Sequence, residues 1–261
     1  MEYALITGAS KGIGKEMALC LAQRKYNLLL VARSADKLQE AASAIEGQYG
    51  ITVKYLAADL SVPDAASVVL RWIRENDFPV SILINNAGYG LWGEFSDIPL
   101  EQQQNMLQLN VAALMDLCYK MIPVLERQAG KKYILNVGSM AGFQAIPTLA
   151  MYAASKAAVN TFTRALALEL KPRNISVSLL APGGVRTDFV ARSGMHHIAE
   201  KADKLSMDPD VIARRALRGM FRGKKEMTHG FSNQLSAFMV RMLPKIWIEK
   251  IAASIYKKKP A

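Results

Sequence analysis

Short apolar runs alternate with longer amphipathic stretches along most of this chain, and the alternation limits the fold more than any single motif does. Runs at 3–7, 27–32, 52–57, 80–85, 132–138 and 175–181 are apolar and often β-branched, as strands buried on both faces are. A weaker seventh lies near 227–231. Helical periodicity fills the gaps at 13–25, 35–48, 63–77, 100–128, 151–171 and 209–222. Strand and helix in turn predict a parallel sheet covered by helices on both faces. No repeat, low-complexity stretch or linker interrupts residues 1–230, which read as one α/β domain, with 231–261 as a tail of different character.

Within this frame, Ser139 follows the fifth run, and Tyr152 and Lys156 stand four apart in the helix after it. Side chains at that spacing leave one face of a helix, one turn apart. A free tyrosine loses its proton near pH ~10, and bringing it to neutrality takes about 4 kcal/mol at ~1.36 kcal/mol per pH unit. A neighbouring ammonium supplies part of this. A second positive charge is implied, and an oxidised nicotinamide ring can provide it. Ser139 can hydrogen-bond a substrate oxygen and hold it against Tyr152. Taken alone, a Tyr and a Lys at this spacing are also an ordinary packing pair, so the rest of the chain decides.

The first run ends in Thr7-Gly8-Ala9-Ser10-Lys11-Gly12-Ile13-Gly14. Glycines at a strand-to-helix turn allow a tight bend, close approach of backbone to a phosphate, and close helix packing. N–H groups at the helix start favour an anion. The second run ends in Ala32-Arg33, where an acidic residue would select the ribose hydroxyl of NAD. Arg33 and Lys11 instead suit a 2′-phosphate, pointing to NADP(H). Asp59 closes the third run and either accepts from an adenine amino group or caps the next helix with Ser61. Asn85 and Asn86 close the fourth; buried amides there need partners. Asn110 interrupts the 100–128 pattern and, by itself, bends a helix or binds a water. Ala181-Pro182-Gly183-Gly184 follows the sixth run, at the strand end where open α/β sheets bind ligands. Residues 188–208 lack periodicity and read as a lid over substrate; His196 and His197 within it have no acidic partners at metal spacing.

The net charge of +11 is unevenly placed. Residues 201–261 hold 14 Lys and Arg against 5 Asp and Glu, hence +9; the first 200 hold 19 against 17, hence +2. A nucleic-acid surface would interleave basic residues with aromatics or carry a reader motif, and neither is visible. Cys20 and Cys118 read as reduced buried thiols. The N-terminus enters a strand at once and shows no signal peptide, so a cytoplasmic protein is expected. In the tail, Leu235, Phe238, Met239, Met242 and Leu243, then Trp247, Ile248, Ile251 and Ile255 after Pro244, recur at helical spacing. Two helices broken at Pro244 are predicted. They dock on the body, on a second subunit, or, through Arg241, Lys245, Lys250 and Lys257 to Lys259, on a membrane surface.

Together these residues resemble the short-chain dehydrogenase/reductase family. The likeness spans about residues 1–190 and rests on Thr7-Gly8-x-x-x-Gly12-x-Gly14, Asp59, Asn85-Asn86-Ala87-Gly88, Asn110, Ser139, Tyr152-x-x-x-Lys156 and Pro182-Gly183-x-Val185-x-Thr187, in family order. It implies a single-domain Rossmann fold with a doubly wound, seven-stranded parallel sheet. It implies Tyr152 as general acid/base, Lys156 as the ribose-binding cation, Ser139 as the carbonyl-orienting hydroxyl and Asn110 as the holder of a relay water. It implies a cofactor site of Gly8, Ser10, Lys11, Gly12, Ile13, Gly14, Arg33, Asp59, Leu60, Asn86, Ala87, Gly88, Tyr152, Lys156, Pro182, Gly183, Val185 and Thr187, and homodimers or homotetramers. The basic tail is similar to that of a bacterial ketoreductase group. The expected activity is NADP(H)-dependent reduction of a carbonyl, or the reverse oxidation of a secondary alcohol. Leu91, Trp92, Phe143, Ile146, Phe189 and Met195 are the expected substrate contacts, favouring an apolar substrate such as a steroid or acyl chain. The competing reading is a non-catalytic dinucleotide sensor or scaffold, which has no need of an intact Ser139, Tyr152 and Lys156.

Overall fold

The structure is a computed structural model that describes residues 2–187, 189, 193–194, 206–230, 235, 239–240 and 242–256. Seven parallel strands form one sheet in the order β3-β2-β1-β4-β5-β6-β7. They are β1 (Tyr3–Thr7), β2 (Asn27–Ala32), β3 (Val53–Ala57), β4 (Val80–Asn85), β5 (Lys132–Val137), β6 (Ile175–Leu180) and β7 (Glu226–Met227). The last is shorter than the 227–231 run and pairs with Leu179 and Leu180. Alternate strand residues feed two cores. Ala4, Ile6, Leu28, Leu30, Ile82 and Ile84 meet α1 (Gly12–Ala22), α2 (Ala35–Tyr49) and α7 (Pro209–Phe221) on one face. Leu5, Leu29, Val31, Leu83 and Ile134 meet α3 (Ala65–Glu75), α5 (Ala113–Glu126) and α6 (Ala150–Glu169) on the other. The period of two in apolar strands is what a sheet buried on both sides requires.

The order reverses at β1, whose neighbours are β2 and β4. Crossovers to either side leave a crevice beyond the carboxyl ends of these strands, and the site occupies it. The single helix expected over 100–128 is three pieces: α4 (Leu100–Leu107), a π-helical turn over Gln108–Ala112, and α5. The wider turn inserts at Asn110, which is fully buried. Helix α1 stops at Ala22, three residues early, because Lys25 takes φ +64° to turn into β2. Cys118 is buried, and burial pushes its thiol up to about 12, so it is inert. Cys20 is only half-buried.

In the tail, α8 (Lys245–Tyr256) begins directly after Pro244. Leu243 donates to Met239 O at 2.9 Å and Trp247 to Pro244 O at 3.0 Å on either side of the break. Most of the expected first tail helix lies outside the described residues. So does most of the expected lid, with Met195, His196 and His197; its base is closed by a Val185–Met207 bridge and by Arg186, which binds the Asp208 carboxylate and donates to Ser206 O at 3.0 Å. No described helix is long and apolar enough to cross a membrane.

Candidate active site

The glycine-rich turn is built so that only glycine fits. Gly8 and Gly12 adopt φ +66° and +57°, left-handed values that side chains disfavour. A Cβ on Gly14 would stand 2.5 Å from Gly8 O, so Gly14 lets α1 close on the turn rather than lining the site. Asn86 fastens the turn to β4: its Nδ2 donates to Thr7 O at 3.0 Å and Gly8 O at 3.2 Å. The Thr7 hydroxyl accepts from the amides of Asn86 and Ala87 at 3.0 and 3.1 Å. Asn85 turns inward instead, donating to Asn136 Oδ1 at 2.9 Å, and Asn136 donates to Thr163 Oγ1 at 3.1 Å. The amide pair at the end of β4 is thus one anchor for the loop and one for the core.

A single cavity of about 1420 Å³ runs from this turn across the strand ends. Its volume exceeds the ~300–1,000 Å³ of ordinary small-ligand pockets, enough for a dinucleotide and a second molecule. One end is basic: Lys11, Arg33, Ser34 and Lys37 line it. Asp59 lies beside them, with Oδ2 3.8 Å from the Arg33 guanidinium and Oδ1 accepting from the Ser61 amide and hydroxyl at 2.9 and 2.7 Å. Partial burial pushes the Asp59 carboxyl up, but the Ser61 bonds and Arg33 outweigh it and hold the group below the usual range. Asp59 does not cap α3, whose N-cap is Asp64. Ser10, Gly12, Ile13, Leu60, Asn86, Ala87 and Gly88 line the middle, and Pro182, Gly183, Val185 and Thr187 the facing wall.

Ser139, Tyr152 and Lys156 meet in the same cavity. Tyr152 and Lys156, on one face of α6, are both buried. Lys156 Nζ donates to Val137 O at 2.9 Å and sits 6.0 Å from the centre of the Tyr152 ring. Burial lowers the Lys156 ammonium to about 8, which still leaves it mostly charged at neutrality. The Tyr152 ring is held against Phe189, 5.4 Å between centroids. A Cβ on Gly90 would come 3.3 Å from the Tyr152 ring and 2.8 Å from Phe189, so the contact depends on that glycine. Ser139 Oγ accepts from the Ala141 amide at 3.1 Å, which leaves its own O–H to donate.

Asn110 does not line the cavity; it braces it from behind. Its Nδ2 donates to Tyr89 O at 2.9 Å and Ser155 Oγ at 3.1 Å, and its Oδ1 accepts from Tyr89 N at 3.0 Å. Ser155 in turn donates to Tyr152 O at 2.7 Å. Sequence reasoning missed Asn160, which is fully buried and grips the Ser139 backbone, donating to its carbonyl at 3.0 Å and accepting from its amide at 3.4 Å. The available signal was its place on α6, four residues past Lys156 on the same face. The apolar contacts expected for substrate divide. Phe189 lines the cavity; Ile146 is buried beside it, Leu91 and Trp92 pack behind, and Phe143 lies under Arg164 at 6.0 Å. Met195 lies outside the described residues. In their place the apolar end is walled by Tyr89, Leu149, Leu235, Leu243, Ile248 and Ala252. Most of these come from the tail, which packs on its own chain: Ala252 joins the cluster around Tyr152, Leu149 and Met106.

The family model described as short chain dehydrogenase matches residues 2–197. The chain belongs to this family. Among curated relatives of this short-chain dehydrogenase, a very-long-chain 3-oxoacyl-CoA reductase of Laccaria bicolor is 34% identical over 218 residues, covering 82% of this chain and 62% of the relative. The chain thus spans less than two thirds of that relative's length. Among solved structures, a short-chain dehydrogenase from Sphingobium yanoikuyae in complex with NADPH superimposes with a TM-score of 0.81 at 30% identity, covering 100% and 98% of the two chains. The bulky-bulky ketone specific alcohol dehydrogenase from Comamonas testosteroni gives 0.77 at 28% identity, covering 100% and 97%.

Proposed function

We propose that the chain is an NADP(H)-dependent ketoreductase acting on a bulky apolar ketone, or on the matching secondary alcohol in reverse. The observation that carries this reading is the convergence of Ser139, Tyr152 and Lys156 on one wall of a cavity that is basic at one end and apolar at the other. The residues present fit a dinucleotide. Gly8 and Gly12 leave backbone bare at the start of α1, and Lys11 and Arg33 offer two cations to a 2′-phosphate. Asp59 and Leu60 would flank the adenine, Asn86 to Gly88 the nicotinamide-side ribose, and Pro182 to Thr187 the nicotinamide. The bound cofactor supplies the hydride. Ser139 donates to the substrate oxygen and sets it against Tyr152, which gives its proton to that oxygen during reduction and takes it back during oxidation. The Lys156 ammonium favours the phenolate left behind and binds the ribose hydroxyls. Asn110, through Tyr89 and Ser155, fixes the turn that carries Tyr152.

The apolar wall and the printed titles of two relatives, one acting on 3-oxoacyl-CoA and one specific for bulky ketones, support an apolar carbonyl substrate. Tyr119 and Leu168, 79% and 61% exposed on α5 and α6, support self-association into a homodimer or homotetramer. Oxidation of NADPH against a panel of alkyl, aryl and steroid ketones tests the reading. Tyr152→Phe is expected to lower turnover ~10²–10⁴-fold while cofactor affinity stays within about twofold. A variant that turns over like the wild type overturns the mechanism, and a chain that binds NADPH but reduces no ketone is a sensor or scaffold.

A further inference from the structure

Helix α8 is apolar on two sides. Ile248 and Ala252, four apart, are 8% and 2% exposed and wall the cavity, whereas Ile246 and Trp247 are 58% and 59% exposed. The residues leading into the helix repeat the pattern: Met242 is 68% exposed, and Leu235 and Met239, at 50% and 39%, stand in solvent while they line the cavity. They therefore form its rim. Of the 12 large apolar side chains exposed among the described residues, 5 fall between 235 and 247. Such an accumulation beside a cavity mouth is a docking surface rather than scattered exposure.

Charge selects the occupant. Residues 231–261 contain six Lys and Arg and one acidic residue, Glu249. Lys245 and Lys250 are exposed on the same helix as Ile246 and Trp247. A second copy of the chain would bring the same positive charge to the contact and be repelled. A surface of anionic headgroups over hydrocarbon complements both features, with the apolar side chains at the acyl boundary and the lysines at the phosphates. A tryptophan with an exposed apolar ring and one N–H suits that boundary.

We propose that this face of the tail seats on an anionic bilayer, so that the mouth rimmed by Leu235 and Met239 takes its apolar substrate directly from the lipid. The substrate half of this inference rests on the ketoreductase reading; the surface half does not. The full chain is sedimented with vesicles of phosphatidylcholine mixed with phosphatidylglycerol, and with phosphatidylcholine alone. Binding to the mixed vesicles at low salt and release at high salt are expected. Lys245→Gln with Lys250→Gln weakens binding about fivefold per charge, and Ile246→Ser with Trp247→Ser by at least ~tenfold. Both variants keep wild-type turnover of a water-soluble ketone, which shows that they fold. A ketone dissolved in the bilayer is reduced faster in mixed than in neutral vesicles, and the serine variant loses this gain. The proposal is overturned if the wild type ignores mixed vesicles or the serine variant binds them unchanged. It also falls if that variant dissociates an oligomer and leaves vesicle binding alone, since the face is then a subunit contact. If vesicles bind but no ketone consumes NADPH in either phase, the surface stands and the ketoreductase reading is the part that fails.

Discussion

Replacing Lys156 with methionine should make the protein more stable and catalytically dead. The ammonium lies 5% exposed inside the body, and burial lowers it from 10.5 to about 8. That displacement corresponds to about 3 kcal/mol of folding free energy at ~1.36 kcal/mol per pH unit. The sign follows from proton binding. A group with a lowered folded-state value holds more protons unfolded than folded, so stability rises with pH across the interval. Below about 8 the lysine is charged in both states and the full cost of burying the charge is present; above 10.5 it is neutral in both and the cost is gone. Methionine removes the charge but strands Val137 O, which accepts from Lys156 at 2.9 Å, a loss of about 1–3 kcal/mol. The net gain at pH 7 is therefore about 0–2 kcal/mol, or up to roughly 8 °C in Tm at ~2–4 °C per kcal/mol for a chain of this size. Thermal unfolding of both proteins at pH 7, 8, 9 and 10 is the assay. The variant's advantage must fall as pH rises and then reverse, the difference changing by about 3 kcal/mol in all as the wild type loses the cost of its buried charge. A constant difference, or a variant less stable at pH 7, refutes the reasoning. Ketone reduction by the variant should fall at least ~10²-fold.

Arg33→Asp should reverse the preference for NADPH over NADH, because a carboxylate repels the 2′-phosphate; the ratio of dissociation constants by fluorescence titration reads this, and an unchanged ratio removes Arg33 from the site. Gly14→Ala places a Cβ 2.5 Å from Gly8 O and should destabilise by about 1–3 kcal/mol, with weaker dinucleotide binding in calorimetry; unaltered Tm and affinity would show that the turn is not packed as described. Ile248→Ala should lower kcat/KM for a bulky apolar ketone ~10–200-fold, in line with pocket methylenes, while leaving NADPH affinity alone. For the wild type, kcat/KM for reduction should fall with rising pH through an apparent pKa near 8, where Lys156 loses its charge; a flat profile to pH 10 contradicts the role given to that ammonium.

Much of the fold and site was legible in the chain because short-range rules dictate it. Apolar runs such as Leu28 to Val31 demand burial on both faces, and Gly8 and Gly12 announce a turn that no side chain can follow. The spacing of Tyr152 and Lys156 places both on one helical face before any tertiary contact exists. Other features depend on partners far away in sequence. A periodic pattern over 100–128 cannot show the π-helical turn, since that turn is stabilised by Asn110 reaching Tyr89 and Ser155, 21 and 45 residues away. Asn160 looks like any helical amide until Ser139 is packed against it. The sequence offers the apolar residues before and after Tyr152 as substrate contacts, yet the cavity takes its apolar wall largely from Leu235, Leu243, Ile248 and Ala252. Helical periodicity states that the tail must bury a stripe; it does not state against what. The crevice that receives the stripe exists only once β1 and β4 are side by side and α6 has set Tyr152 against it. A site shared between the ends of a chain is decided by packing, because its two halves acquire a common boundary only in the folded state.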